Sequence, residues 1–184
     1  TSKIFKLKKR PKKNPLIVHY YNLKMLRDDC HINNSFIKLY KKLCPGPITF
    51  VLKLKKSSKI SKNVTNGKKT LAVRFPKHLV AQKLLKELGY PLAAPSANIS
   101  TRISPVSKED VRDEFGKKIK FILEGGESKI GLESTIVNLI NKPQILRLGG
   151  TKVSTINKIL KTNLKFNQKR KKIFMPGQGK VHYS

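Results

Sequence analysis

The sequence predicts one α/β domain, because short β-branched apolar runs alternate with longer segments of helical periodicity. The short runs are bounded by Pro, Gly or Asn, which is typical of strands. We predict strands at 15–21, 47–54, 71–75, 120–125, 134–140 and 145–149. We predict helices at 34–43, 77–89, 107–116 and 151–162. The strand order cannot be read from one sequence, and a mixed sheet fits this pattern as well as a parallel one.

Three of the predicted helices carry their own start or stop signals. The first opens on Asn34, a residue type that caps helix N-termini, and Pro45 follows its end. Gly89 closes the second helix as a C-terminal cap. Ser107 and Asp110 stand at the start of the third in the spacing of a capping box.

The domain boundaries follow from changes in composition. A chain of 184 residues with 38% hydrophobic content is long enough for one sizeable core. We therefore predict a domain over 1–162 and a basic linker or tail over 163–184, where no hydrophobic period remains. The polar, turn-rich segment 55–69 is expected to form an exposed loop or hairpin.

Net charge is the outlier of the composition, with 41 Lys and Arg against 10 Asp and Glu, or +31. One interpretation is a partner rich in phosphate, either a nucleotide or a nucleic acid. The other is the coding bias of an AT-rich genome, because 34 of the basic residues are Lys and only 7 are Arg. Charge alone does not choose between the two.

Cysteine and histidine spacing predicts no metal site. Cys30 and Cys44 form no C-x-x-C pair, and the four histidines are scattered. Two lone thiols fit a reducing compartment, and no apolar run approaches the length of a membrane span. We therefore expect a cytoplasmic protein without a membrane partner.

Lys8 and Arg10, in KLKKRPKKNPL, are the first candidate site residues. In an extended segment they point to the same side, where they can grip a phosphate or a carboxylate. A solvated basic run explains the same letters. Arg74, in TLAVRFP, is either partly buried and in need of an anion or placed in water at a strand end.

Ser96 and Asn98, in PLAAPSANIS, form either a plain turn or a pair that presents a hydroxyl and an amide to a ligand. Ser134 opens a strand in GLESTIVNL, and Arg147 precedes a glycine pair in ILRLGG. The sequence contains no phosphate-binding Gly-rich loop and no Gly-x-Ser-x-Gly motif. These residue types favour a site of cations and neutral donors that aligns charged reactants.

The order of these motifs along the chain resembles the YrdC/TsaC family, the L-threonylcarbamoyl-AMP synthases of tRNA t6A biosynthesis. The matching blocks are K-x-R-P-x-x-N-P-L-I-V-H, P-G-P-[IL]-T, [VA]-V-R-x-P, A-P-S-A-N-x-S, G-x-x-S-T-[IV]-V and I-L-R-x-G, spread from about residue 4 to 162. The resemblance implies a YrdC-like fold: a twisted mixed sheet with flanking helices and a concave basic cleft. It also implies a nucleotidyltransferase that combines L-threonine, bicarbonate and ATP, the last with Mg²⁺, into threonylcarbamoyl-AMP and pyrophosphate.

The resemblance carries the family's site residues onto this chain. Its catalytic tetrad falls on Lys8, Arg10, Ser96 and Asn98. Its ATP contacts fall on Arg10, Asn14, Thr70, Ser96, Ser104 and Arg147. Its threonine contacts fall on His19, Arg74, Ala94 and Ser134.

The two ends of the chain depart from the family pattern. Family members place a strand and a P-T-E-T-x-Y-G-L loop before the Lys-x-Arg, whereas this sequence starts almost at Lys8. We therefore expect an N-terminally truncated domain, with one sheet edge exposed, and no C-terminal domain. The ending PGQGKVHYS is similar to the P-G-M-x-Y-x-H-Y linker of longer members, with His182 and Tyr183 as its remnant.

Alternatives remain open beside the synthase, whose expected partners include the t6A transferase machinery. The charge also fits a non-catalytic module that binds tRNA or double-stranded RNA. A truncated chain also fits an inactive gene fragment. The YrdC-like part of a hydrogenase-maturation carbamoyltransferase is a further possibility, although the cysteine motifs that accompany it are absent from this sequence.

Overall fold

A six-stranded mixed sheet organises the chain in a computed structural model that describes residues 1–127 and 131–166. The strands are β1 (Ile17–His19), β2 (Ile48–Lys53), β3 (Thr70–Arg74), β4 (Leu92–Ala93), β5 (Thr135–Asn138) and β6 (Gln144–Arg147). They lie in the order β4-β1-β3-β2-β5-β6. The pairs β1–β3 and β2–β5 are parallel and the other three are antiparallel, so the mixed sheet is confirmed.

Seven α-helices accompany the sheet within the described residues. They are α1 (Ser2–Leu7), α2 (Leu23–Asp29), α3 (Asn34–Leu43), α4 (Lys62–Thr65), α5 (Leu79–Leu88), α6 (Lys108–Phe115) and α7 (Val153–Leu160). The capping box of Ser107 and Asp110 opens α6 as predicted, and Gly89 ends α5 with φ +67. The cap of α3 lies one residue before the predicted one: the Asn33 side chain accepts a hydrogen bond from the Phe36 amide at 2.9 Å.

The strands divide their side chains between two unlike faces. Along β2, Ile48, Phe50 and Leu52 enter the main core, together with apolar residues of α1, α2, α3, α4 and α7. The intervening Val51 joins a second, smaller apolar cluster on the opposite face. We call that opposite face the site face, because strand alternation places Thr49 on it with Val51.

The predicted strand at 120–125 is wrong, because these residues form no strand. Phe121 is 85% exposed and Leu123 is 59% exposed, so the apolar side chains of this segment pack against no neighbouring strand. A strand is defined by hydrogen bonds to a partner, which apolar alternation alone does not provide.

Helix α1 was not predicted, because its sequence looks like part of a basic, solvent-exposed run. Its lysines face water, but Phe5 is 7% exposed and packs in the main core with Ile4 against it. Helices α2 and α4 and the two-residue strand β4 were also not predicted.

The described C-terminal residues stay attached to the domain. The Asn157 side chain accepts a hydrogen bond from the Leu164 amide at 2.8 Å and donates one to its carbonyl at 3.1 Å. Leu164 also packs against the main core. The predicted remnant at His182 and Tyr183 lies outside the described residues. Within residues 1–127 and 131–166, no helix has the length and apolar character to cross a membrane.

Candidate active site

Polar side chains of four strands and one strand-preceding residue meet at one end of the site face. His19 lies beside Arg74 in the parallel pair β1–β3, and Arg74 lies opposite Thr49 in the pair β2–β3. Cross-strand neighbours share a face, so these three side chains form a row across the sheet. The row continues to Ser134, whose hydroxyl oxygen lies 2.7 Å from that of Thr49.

A β-bulge brings Arg147 into this row. The β5–β6 register shifts between Ile136 and Val137, so that Val137 pairs with Ile145 while Ile136 pairs with Arg147. Residues two apart on a regular strand share a face, and the bulge breaks that rule. Ile145 therefore enters the main core while Arg147 reaches the site face, where its Nη2 donates to the Ser134 hydroxyl at 3.1 Å.

Glu133 places one carboxylate among the arginines of the site. It forms an ion pair with Arg147, whose guanidinium also donates to the Ser134 carbonyl at 2.8 Å and 3.0 Å. Burial lowers the pKa of Arg10 and of Arg74, and the Glu133 charge opposes both shifts. The Glu133 carboxylate therefore bonds one arginine directly and stabilises the charge of two others.

His19 is a neutral imidazole at neutral pH. Burial lowers the pKa of His19 to about 4, and the neighbouring Arg74 charge lowers it further. The Nδ1 of His19 and the Nε of Arg74 are buried and have no hydrogen-bond partner among the described residues. Buried polar atoms without partners are costly, so this pair is the natural place for a ligand to supply them.

Lys8 is held by the loop that carries the predicted Ser96 and Asn98. Only 4% exposed, its ammonium donates to the Ser96 carbonyl at 2.6 Å, to the Asn98 carbonyl, and to Asn98 Oδ1 at 3.4 Å. An ammonium has three protons, so this loop offers an acceptor for each. Burial lowers the pKa of Lys8 to about 8, with a further lowering by Arg10 and an opposing effect of Glu114.

The side chains of Ser96 and Asn98 are bonded to each other. The Ser96 hydroxyl donates to Asn98 Oδ1 at 2.6 Å, and Asn98 Nδ2 donates to the Arg102 carbonyl at 2.5 Å. Asn98 is buried, whereas Ser96 is exposed. The amide is therefore oriented by its neighbours, and the hydroxyl is the accessible member of the pair.

The extended conformation predicted for Lys8 and Arg10 is wrong. Lys8 ends α1, and Lys9 has φ +50, so the chain turns between the two cations. Arg10 instead holds its own turn, donating to the carbonyls of Asn14 at 3.2 Å and Pro15 at 3.0 Å. The Oδ1 of Asn14 is a further buried atom without a partner among the described residues.

The remaining predicted site residues lie on nearby segments. Ala94 is exposed directly after β4, and its amide donates to the Ile17 carbonyl at 3.1 Å. Thr70 begins β3 on the face that Arg74 shares. Ser104 is half-buried in the loop before α6. The roles of these residues as ligand contacts stay predictions.

Three residues of this region were not singled out from the sequence. Thr49 is the one polar residue in the apolar run ITFVL and stands inside a quoted motif, which is a signal that was available. Glu133 directly precedes the predicted Ser134. Glu114 has no sequence signal, because only the folded chain brings α6 against the 96–102 loop.

The chemical groups of this site are of the kind that attracts anions. The site combines guanidinium groups, a buried ammonium, hydroxyl donors and one neutral imidazole, with the carboxylates of Glu133 and Glu114 nearby. Within the described residues, no three His, Cys, Asp or Glu side chains lie close enough together to hold a metal ion. Fixed cations and donors of this kind offset the repulsion between two negatively charged reactants.

A family model named Sua5_yciO_yrdC and described as "Telomere recombination" matches residues 1–149. The chain belongs to this family. It is 41% identical over 162 residues to the threonylcarbamoyl-AMP synthase of Pyrococcus abyssi, covering 86% of this chain. It is 35% identical to that of Bacillus subtilis, over 99% of this chain. The structure of P. abyssi Sua5 complexed with L-threonine superposes with a TM-score of 0.92 at 36% identity, over 100% of this chain and 55% of that one.

The chain spans about half the length of the curated relatives it matches, at 46% of the P. abyssi protein and 54% of the B. subtilis protein. The superposition and the family match confirm the resemblance to the YrdC fold. The concave basic cleft and the individual ligand roles stay predictions.

Proposed function

We propose that this chain carries threonylcarbamoyl-AMP synthase activity for tRNA t6A modification. The amine of L-threonine and bicarbonate give a carbamate with loss of water. A carbamate oxygen then attacks the α-phosphorus of ATP, the bond to the β-phosphate oxygen breaks, and pyrophosphate leaves. The observation that carries the proposal is the pair of unpartnered buried atoms, His19 Nδ1 and Arg74 Nε, in a fold that matches a relative complexed with L-threonine.

The threonine would occupy the row of polar side chains on the site face. Arg74 would bind its carboxylate, since a guanidinium forms two parallel hydrogen bonds to a carboxylate. The neutral His19 and the hydroxyl of Ser134 would form hydrogen bonds with the remaining polar groups of threonine, as would a backbone group of Ala94. A neutral imidazole suits this place, because a second cation beside Arg74 would raise the energy of the empty site.

ATP, as its Mg²⁺ complex, would bind toward Arg10 and the Ser96 loop. Arg10 and Arg147 would neutralise phosphate charge, and the exposed Ser96 hydroxyl would turn its single proton from Asn98 Oδ1 to a phosphate oxygen. Lys8 would act mainly by holding the loop, because its three protons already have acceptors there. Asn14, Thr70 and Ser104 complete the predicted nucleotide contacts.

The test is pyrophosphate release with all three substrates present and with each one omitted in turn. We expect release to require threonine and bicarbonate, and to fall to background in Arg74→Gln. Arg112→Gln is the matched control, because Arg112 is an exposed arginine of α6. Release that continues without threonine would contradict the assignment.

A second candidate function, RNA binding, is favoured by the segment between β2 and β3. Residues 55–69 carry six lysines and no acidic residue, and most of them are exposed around the short helix α4. A surface of this kind binds the phosphate backbone in a salt-dependent way. The partner would be tRNA or double-stranded RNA, and the t6A transferase machinery would consume the adenylate product.

Lysine variants, together with competition between RNA and the substrates ATP and threonine, distinguish RNA binding at this surface from RNA binding in the active site. We expect a Lys55/Lys56/Lys59→Gln variant to lose RNA affinity, while a Lys83/Lys86→Gln variant with its changes on α5 does not. RNA displaced by ATP and threonine would place the RNA in the active site instead. Equal losses in the two variants would mean that only net charge matters.

A further inference from the structure

We propose that Glu114 is a positioning residue of this site: it holds the 96–102 loop in the conformation that presents Ser96 to the nucleotide. This inference rests on the proposed function for its nucleotide. It concerns a residue of α6 that makes no predicted contact with ATP or threonine.

Glu114 grips the loop at two points. Its Oε1 accepts the Ile99 amide at 2.7 Å, and its Oε2 pairs with the Arg102 guanidinium at 3.0 Å. The Glu114 side chain is only 14% exposed, whereas that of Arg102 is 64% exposed. The Glu114 carboxylate is therefore shielded from solvent by the loop that it bonds.

The contacts of Glu114 influence Asn98 through the backbone of the loop. The Arg102 amide donates to the carbonyl of Ile99, the residue whose amide Glu114 bonds. The Arg102 carbonyl accepts from Asn98 Nδ2 at 2.5 Å. That bond sets the Asn98 amide so that Oδ1 faces the Ser96 hydroxyl at 2.6 Å. Without it the Asn98 amide keeps only its contacts with the Ser96 hydroxyl and the Lys8 ammonium, and the position of Ser96 is less firmly fixed.

Lys8 closes the loop from the opposite side. The Ser100 amide donates to the Lys8 carbonyl at 2.9 Å, while the Lys8 ammonium bonds the Ser96 and Asn98 carbonyls. The loop thus lies between the Lys8 cation, which directly follows α1, and the Glu114 anion of α6. Among the described residues, burial and the charge of Arg10 lower the pKa of Lys8, and the charge of Glu114 opposes that effect.

The experiment measures ATP and threonine affinity by calorimetry in Glu114→Ala, Glu114→Gln and Asp113→Asn. Glu114→Gln keeps an oxygen that can accept the Ile99 amide, and Asp113→Asn makes the same charge change at the adjacent exposed position. We expect the Kd of ATP to rise about tenfold in Glu114→Ala and less in Glu114→Gln, with threonine affinity within twofold of wild type. Asp113→Asn should match wild type in both.

A pH profile adds a readout that a purely structural role does not move. Removing the Glu114 charge lowers the pKa of Lys8, so Lys8 loses its proton at lower pH. We therefore expect the loss of ATP affinity at alkaline pH to begin at lower pH in Glu114→Gln than in wild type. An equal displacement in Asp113→Asn, or none in Glu114→Gln, would overturn the inference.

The Asn98 side-chain amide, followed by NMR, separates this inference from the proposed function. If the wild-type chain binds no ATP, the proposed function fails. Faster exchange of the Asn98 amide protons in the Glu114 variants, but not in Asp113→Asn, would still support the positioning role. Unchanged exchange in Glu114→Gln and Glu114→Ala would refute it.

Discussion

The neutral state of His19 predicts a loss of stability in acid that one substitution should remove. The folded chain holds His19 at a pKa of about 4, whereas an ordinary histidine titrates near 6.5. Between these values the unfolded chain binds a proton that the folded chain does not. Acid therefore favours unfolding, and the effect is absent above about pH 7.5, where both states are neutral.

The size of the effect follows from the difference in pKa. A shift of one pKa unit corresponds to about 1.4 kcal/mol, so the loss is about 3 kcal/mol at pH 4 and approaches about 3.4 kcal/mol well below that pH. About 2 kcal/mol of it is already lost at pH 5. A domain of ordinary stability has roughly 5–15 kcal/mol in total, so this loss is readily measured.

The assay is urea unfolding at pH 7.5 and pH 5 for wild type and His19→Gln. We expect the free energy of unfolding to fall by about 2 kcal/mol more in wild type than in the variant. The pKa of Asp110, Glu114 and Glu124 is lowered as well, but these carboxyls titrate alike in both proteins and cancel in the comparison.

Equal pH dependence in the two proteins would refute the reasoning, because it would mean that His19 is solvated and titrates normally. His78→Gln serves as control, since His78 is exposed. Direct NMR titration of wild type gives a second test that needs no variant. We expect the His19 ring signals to stay constant from pH 8 to 5, and titration near 6.5 would contradict burial.

Three further predictions concern other buried groups. Tyr20→Phe removes the hydroxyl that donates to Asp29 at 2.8 Å, and we expect about 1–2 kcal/mol less stability by urea unfolding, with Tyr21→Phe as exposed control. In wild type, ATP affinity measured by calorimetry should fall as pH rises through about 8, because Lys8 then loses its proton; a constant affinity to pH 9.5 would argue against this. Arg74→Gln should weaken threonine binding in calorimetry by about a hundredfold, and an unchanged Kd would remove Arg74 from the threonine site.

Local sequence determined much of the secondary structure. Helix α3 runs over the predicted residues, and the capping box of α6 forms as its letters indicate. The central strands β2 and β3 were also predicted, because their apolar runs are long and bounded by turn residues. His19, Arg74, Ser134 and Arg147, which the sequence analysis had singled out, lie on one face of the sheet, whereas Thr49 and Glu133 beside them were not singled out.

Properties that depend on distant partners could not be predicted. The run at 120–125 has a strand pattern, but a strand needs a neighbour. Helix α1 forms within a basic run because Phe5 finds the main core, and the turn at Lys9 separates two cations that the spacing had placed side by side. Each outcome was decided by contacts between segments far apart in sequence.

The sequence by itself determined which chemical groups the site contains: guanidinium groups, one ammonium, hydroxyls and an imidazole. The tertiary structure decided what each group does. It buried His19 beside Arg74 and so made the imidazole neutral, it turned Arg147 to the site face through a bulge, and it committed Lys8 to a loop 88 residues away. The physical reason is that charge state and orientation depend on solvent exclusion and cross-strand register, which no local pattern encodes.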